Sequence, residues 1–457
     1  MKPREHWGSR IGFLLATAGS AIGLGSLWKF PYVTGKYGGG AFVLAYLIFT
    51  FLIGIPLFMG ELVIGRSAMA SPVSAFEELS RPGKSWKFLG WTSCIAPLFV
   101  LSFYCVVAGW ALNYTLMSLL NFSSGKSTEE IRATFDLLSG SFDINLLWTF
   151  IFLGVTAGVV YRGIRKGIEL WSKILMPLLF IFLLLLLMYS ATLDGFKEGA
   201  YFVFAPRFEN MTAGGLLEAL GLACFTLSVG MGVIITYGSY MKQNEDIPKT
   251  ALLVAIANLI VAALAALMIF PIIFTFHFPS AEGPGLLFKT LPVLFSKLPG
   301  TLLISTIFFL LVVFAALTST ISVMEVLVAT VTEIYGFSRG KGVLCVTIAT
   351  FLLAIPSVSS GPNTLFPDWA SIFGKNFFST IDGFTFVWLL PLNALFTAIF
   401  IGYFLDKKIC KTAFSQGCSW KVVYQPWLFF IRVVVPLAII LILLQEAGLV
   451  DMDALFR

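Results

Sequence analysis

Gly19-Ser20-Ala21-Ile22-Gly23-Leu24-Gly25-Ser26 stands in the middle of an apolar segment, residues 10–35, long enough to cross a membrane. Its glycines work against a continuous helix, because each costs about 1 kcal/mol relative to alanine in a helix interior. A second run, Ser228-Val229-Gly230-Met231-Gly232, interrupts the segment 214–241, which lies five apolar segments further on. Either run alone reads more readily as a small-residue face for close helix packing. The pair at that interval reads as two broken helices, since unwound backbone at membrane depth is tolerated where it lines a cavity inside the protein.

The composition agrees. Of 457 residues, 58% are hydrophobic and only 12% are charged, with 46 Phe. A soluble domain carries about 25% charge to cover its surface, so a soluble enzyme, a disordered chain and a nucleic-acid-binding domain are excluded. The six Cys are scattered without CxxC spacing and there are two His, His6 and His277, which argues against a zinc site or a disulfide framework. The short start leads directly into an apolar segment, so no cleaved signal peptide is expected.

Eleven apolar segments of spanning length lie near 10–35, 40–67, 88–121, 144–161, 167–190, 214–241, 249–276, 300–335, 342–358, 377–404 and 424–446. Basic residues concentrate in alternate loops, among them Lys2, Arg10, Arg66, Arg162, Arg165, Lys166, Lys242, Arg339, Lys341, Lys407 and Lys408. The opposite loops, at 122–143, 191–213 and 277–299, are longer and more acidic. The asymmetry places the N-terminus in the cytoplasm and the C-terminus outside, in a multi-pass protein of the plasma membrane. Two Gly-interrupted helices in corresponding places of two halves point to an inverted-repeat transporter.

The motifs around the first break are more specific. Arg4-Glu5-His6-Trp7, the run from Gly19 to Gly25, and Trp28-Lys29-Phe30-Pro31-Tyr32 resemble the first helix of the neurotransmitter:sodium symporters. Gly38-Gly39-Gly40-Ala41-Phe42, Ile55-Pro56 through Glu61 and Gly65-Arg66, Phe225-Thr226-Leu227-Ser228 and Ala315-Ala316-Leu317-Thr318-Ser319 continue the likeness to about residue 405. The chain is most similar to the bacterial branch. The resemblance implies an all-helical LeuT-type fold with eleven transmembrane helices, in which five plus five form inverted repeats. A transporter core would span 1–405, with repeats near 8–190 and 214–405. An eleventh helix and short tail would fill 406–457.

It also implies the sites. One sodium ion (site 2) would be held by the carbonyls of Gly19, Ile22 and Ala315 and the hydroxyls of Thr318 and Ser319. A second (site 1) would use the Ala21 carbonyl, Ser26, Thr226, Asn258 and the substrate's carboxylate. Oxygen ligands suit this hard cation, and broken helices free the carbonyls. Ser26 departs from the family, which has Asn there. The substrate carboxylate would meet the backbone at Leu24 and Gly25 and the Tyr104 hydroxyl, and its ammonium would meet carbonyls near Ala21, Phe225, Thr226 and Ser228, with Ser319 close by. Gly23 matches the position where monoamine transporters carry Asp, so the substrate here brings its own carboxylate. Val100, Phe225, Met231 and Val323 would line an apolar side-chain pocket.

An outer gate would be formed by Lys29 and Asp382 over Tyr104 and Phe225, and an inner one by Arg4 and Glu333 beside Trp7 and Tyr240. Glu61, an acid inside a span, would hold the broken ends together. Ala262 and Leu222 replace groups associated with chloride, which weighs against that ion. The expected function is sodium-coupled import of neutral hydrophobic L-amino acids, without covalent catalysis. An amino-acid sensor or a channel on the same scaffold is the alternative. The sequence carries no signal for oligomeric state.

Overall fold

A computed structural model describes residues 5–80, 86–278, 285–360 and 369–450. Among these, nine helices are long and apolar enough to cross a membrane: Gly40–Ala68, Lys87–Leu119, Phe142–Tyr161, Ile164–Ser190, Ile247–Thr275, Thr301–Tyr335, Arg339–Val358, Phe377–Phe404 and Lys421–Glu446. A tenth span is the pair Arg10–Ala21 and Gly25–Lys36, bent by 49° at the first glycine run. The remaining expected span, around the second run, is in two short pieces, Ala213–Thr226 and Val233–Ser239. The spans are numbered below by their place in the eleven-segment order, the broken ones being the first and the sixth.

Each break follows from its residues. At the first, Ile22 leaves helical geometry (φ −86°, ψ 88°). A β-carbon on Gly23 would collide with the Ser319 hydroxyl and come 2.8 Å from the Tyr104 hydroxyl. At the sixth, Ser228, Gly230 and Gly232 all take positive φ, at 56°, 81° and 68°. Gly230 and Gly232 adopt this region freely. Ser228 does not, and strain of this kind concentrates at ligand clamps and switch regions.

The first span packs against the fifth, seventh and eighth spans, and the sixth against the second and eighth. The eighth, 35 residues long, packs along the third and turns Thr318 and Ser319 toward the first break. The loops expected at 122–143, 191–213 and 277–299 contain helices of their own, Thr128–Gly140, Phe196–Phe204 and Leu286–Ser296. The first of these is set by a capping box between Ser127 and Glu130.

Candidate functional site

The two breaks face each other across a small enclosed cavity. Its described lining comprises Ser20, Ala21, Gly23 and Gly25 of the first span, Val100, Leu101 and Tyr104 of the third, Phe225, Thr226, Ser228 and Met231 of the sixth, and Ser319, Thr320 and Val323 of the eighth. None of these side chains is charged. The space open to the centre of a water molecule is about 20 Å³, room for a water or two in this closed conformation. Leu24 contributes its backbone: its N–H donates to the Tyr104 hydroxyl at 2.9 Å. The breaks are also tied directly, because the Ser228 hydroxyl donates to the Ser20 carbonyl at 2.9 Å.

Of the residues expected at sodium site 2, Thr318 and Ser319 lie against the first break at Gly19. Ser319 Oγ lies 3.5 Å from the Gly19 carbonyl and 3.4 Å from that of Ser20. Thr318 donates to the carbonyls of Ala315 at 3.0 Å and Phe314 at 3.2 Å. Three of those expected at site 1, Ser26, Asn258 and Thr226, belong to one buried chain. Ser26 donates to Asn258 Oδ1 at 2.5 Å, Asn258 donates to the Tyr46 hydroxyl at 2.9 Å, and Tyr46 meets Thr226 Oγ1 at 2.8 Å. Tyr46 was absent from the sequence-based set.

Glu61, 1% exposed, accepts the Gly230 N–H at 2.6 Å. The other polar group of Gly230, its carbonyl, accepts from Asn393 of the tenth span at 2.9 Å, and the same amide donates to the Thr92 carbonyl at 3.1 Å. Asn393 therefore pins the sixth break from the side opposite Glu61. An asparagine in an apolar run was the signal for it, the same signal that marked Asn258.

Lys29 and Asp382 form no ion pair among the described residues. The Lys29 ammonium lies 4.2 Å from the centre of the Phe386 ring, one turn beyond Asp382, and Phe386 meets Phe225 edge-to-face at 4.3 Å. The outer closure in this conformation is thus a cation–π and aromatic contact. At the other end, Arg4 lies outside the described residues. Glu333 accepts the Ser71 N–H at 3.0 Å. Tyr240 donates to Glu325 at 2.8 Å. Glu325 is fully buried and paired with Arg339 at 2.5 Å. It sits about two turns before Glu333 on the same helix. Trp7 stays in the cluster, its indole N–H donating to the Tyr237 carbonyl at 3.2 Å and its ring 6.3 Å from that of Tyr240. Glu325 is an acid inside a span, so the rule that singled out Glu61 would have found it.

Two broken helices with backbone groups turned into a sealed, uncharged cavity, beside clustered hydroxyl and carbonyl oxygens, define an ion-coupled secondary transporter. The comparisons point to the same class. The model of the sodium:neurotransmitter symporter family matches residues 4–127 and 131–454. The sodium-dependent transporter YhdH of Bacillus subtilis (strain 168) is 39% identical over 98% of both chains. A sodium-dependent transporter of Haemophilus influenzae is 35% identical, over 97% of this chain and 98% of that one. The crystal structure of MhsT in complex with L-phenylalanine superposes with a TM-score of 0.89 at 37% identity, covering 97% of this chain and 99% of that one. The chain belongs to the sodium:neurotransmitter symporter family. It is a multi-pass membrane protein with the LeuT-type fold, a sodium-dependent symporter and not an enzyme.

Proposed function

We propose that this symporter imports neutral hydrophobic L-amino acids together with two sodium ions and without chloride. The observation that carries the reading is the cavity itself. Its polar groups are backbone and hydroxyl oxygens at the breaks, and the rest of its lining is Val100, Leu101, Phe225, Met231 and Val323. An α-amino acid satisfies the first set with its two charged ends and the second with an apolar side chain. The phenylalanine bound to MhsT supports this class.

Sodium site 2 comprises Gly19, Ile22, Ala315, Thr318 and Ser319, and site 1 comprises Ala21, Ser26, Thr226, Asn258 and the substrate carboxylate. The substrate carboxylate lies at Leu24, Gly25 and Tyr104. Leu222 and Ala262, both buried and apolar, offer no donor to a chloride ion. The repeats near 8–190 and 214–405 rock against each other around the fixed site. Lys29, Phe386, Phe225 and Asp382 close the outside. Trp7, Tyr240 and the Glu325–Arg339 pair, with Glu333 and Arg4, close the cytoplasmic side. The basic-loop bias places the N-terminus in the cytoplasm of a cell whose plasma membrane holds the protein.

Uptake into proteoliposomes tests this. Labelled leucine should accumulate with an imposed sodium gradient, be displaced by other apolar amino acids and ignore replacement of chloride by gluconate. Uptake indifferent to sodium, or competed only by charged amino acids, overturns it.

A further inference from the structure

A groove of about 370 Å³ opens on the outside of the bundle, between the third, eighth and ninth spans and remote from the substrate cavity. Its walls are Trp91, Ile95 and Leu98, Leu327 and Val331, and Cys345. The polar atoms in its floor, the Cys94 thiol and the Thr330 hydroxyl, satisfy each other at 3.3 Å. Trp91 and Ile95 are 38% and 42% exposed, so this face is presented to the surroundings.

At that depth the surroundings are acyl chains. A carbon-lined hollow left empty loses its dispersion contacts, whereas a chain laid into it gains them. The charge at its rim selects the lipid. Lys341 is one turn before Cys345 on the ninth span, and Lys87 one turn before Trp91 on the third, so both walls end in an ammonium on the same side. Lys87 is matched by Glu77 at 2.8 Å, and Arg339 by Glu325. Lys341 is solvent-exposed, is in no ion pair among the described residues, and offers the rim an ammonium. We propose that this groove is a binding site for an anionic phospholipid, one acyl chain seated along Trp91, Leu98 and Cys345 and the headgroup phosphate at Lys341. The occupied groove braces the eighth span within two turns of Glu325, so the lipid acts on the same helix that carries the inner closure.

Cys345 is the one exposed cysteine among the described residues and reports on the site in the wild-type chain. In detergent micelles, phosphatidylglycerol should slow its alkylation by a maleimide about tenfold when added at ten times its dissociation constant. Phosphatidylcholine and soluble glycerol phosphate should do much less. Lys341→Gln should remove the preference for phosphatidylglycerol over phosphatidylcholine. Ala349→Trp, which fills the groove, should abolish phosphatidylglycerol retention in native mass spectrometry while leaving sodium-dependent substrate binding in place. An alkylation rate indifferent to phosphatidylglycerol, protection equal for both phospholipids, or full retention by folded Ala349→Trp overturns the proposal.

Discussion

Replacing Asn393 by leucine should weaken substrate binding more than it weakens the fold. The amide of Asn393 is 2% exposed and donates to two carbonyls, Gly230 at 2.9 Å and Thr92 at 3.1 Å. Leucine is close in size and donates nothing. Each buried carbonyl left without a donor costs about 1–3 kcal/mol, so the two together lose about 2–6 kcal/mol. Only the Gly230 half bears on the site, since Gly230 lies between Ser228 and Met231, both of which line the cavity. Freed from Asn393, the sixth break is held at Gly230 by Glu61 alone and spends less time in the geometry that accepts substrate. A loss of about 1.4 kcal/mol of pre-organisation lowers the competent fraction, and with it the apparent affinity, about tenfold. The assay is equilibrium binding of labelled leucine at saturating sodium, beside thermal unfolding in the same detergent. Asn393→Gln, which keeps a donor, should recover part of the affinity. A folded Asn393→Leu protein with wild-type affinity would refute the reasoning, because the Gly230 carbonyl would then need no partner.

Gly23→Ala places a β-carbon against the Ser319 hydroxyl and 2.8 Å from that of Tyr104. Overpacking of this kind costs about 1–3 kcal/mol, so substrate affinity should fall about 5- to 150-fold in the same binding assay, and an unchanged affinity would show that the first break yields. Ser26→Ala removes the hydroxyl that donates to Asn258 at 2.5 Å; if Ser26 belongs to a second sodium site, the Hill coefficient for sodium should fall to about one, as read from a sodium titration of substrate binding. Outside the membrane, Asp246 is partly desolvated, which would raise its pKa, but the N–H groups of Lys249 and Ser419 and the charge of Arg10 hold its carboxyl below the usual carboxylate range. A lowered folded-state pKa contributes stability above the unfolded value, near 3.9, and that contribution is lost as pH falls through the folded one. Asp246→Asn should therefore flatten the decline of the melting temperature below about pH 4, and an identical acid limb would count against the assignment.

The two broken helices were legible because glycine acts through the backbone, and backbone conformation is local. Gly230 and Gly232 need only their own positive φ, and their spacing in the sequence says so. The helices in the loops were not legible by the same route. Thr128–Gly140 is polar on average and short of spanning length, and it is held by contacts from far along the chain: Asp136 pairs with Lys289 at 2.6 Å, and Phe135 stacks on Phe288 at 5.3 Å. Hydropathy marks what the lipid requires of a segment. A helix lying on the protein's own surface leaves no such mark.

The site divides along the same line. Positions beside a local break that line the cavity, such as Gly23 and Ser319, were legible from the motifs. The partners of the charged residues could not, because a long side chain chooses among several neighbours within its reach. Lys29 can reach either Asp382 or the Phe386 ring one turn further along, and in the closed cavity it takes the ring. The choice has a physical reason. Phe386 is already held edge-to-face on Phe225, so the ammonium caps an aromatic pair that seals the cavity and keeps one face toward water. This latch can be released by hydration of a single cation, whereas at the opposite end a fully buried Glu325 carboxylate is paired with a partly exposed Arg339. Breaking that pair strands a charge away from water, a loss of about 3–5 kcal/mol, unless the whole inner half moves to readmit solvent. On the proposed assignment of the closures the two are therefore unequal: the outer is a light lid and the inner a lock that yields to a collective motion.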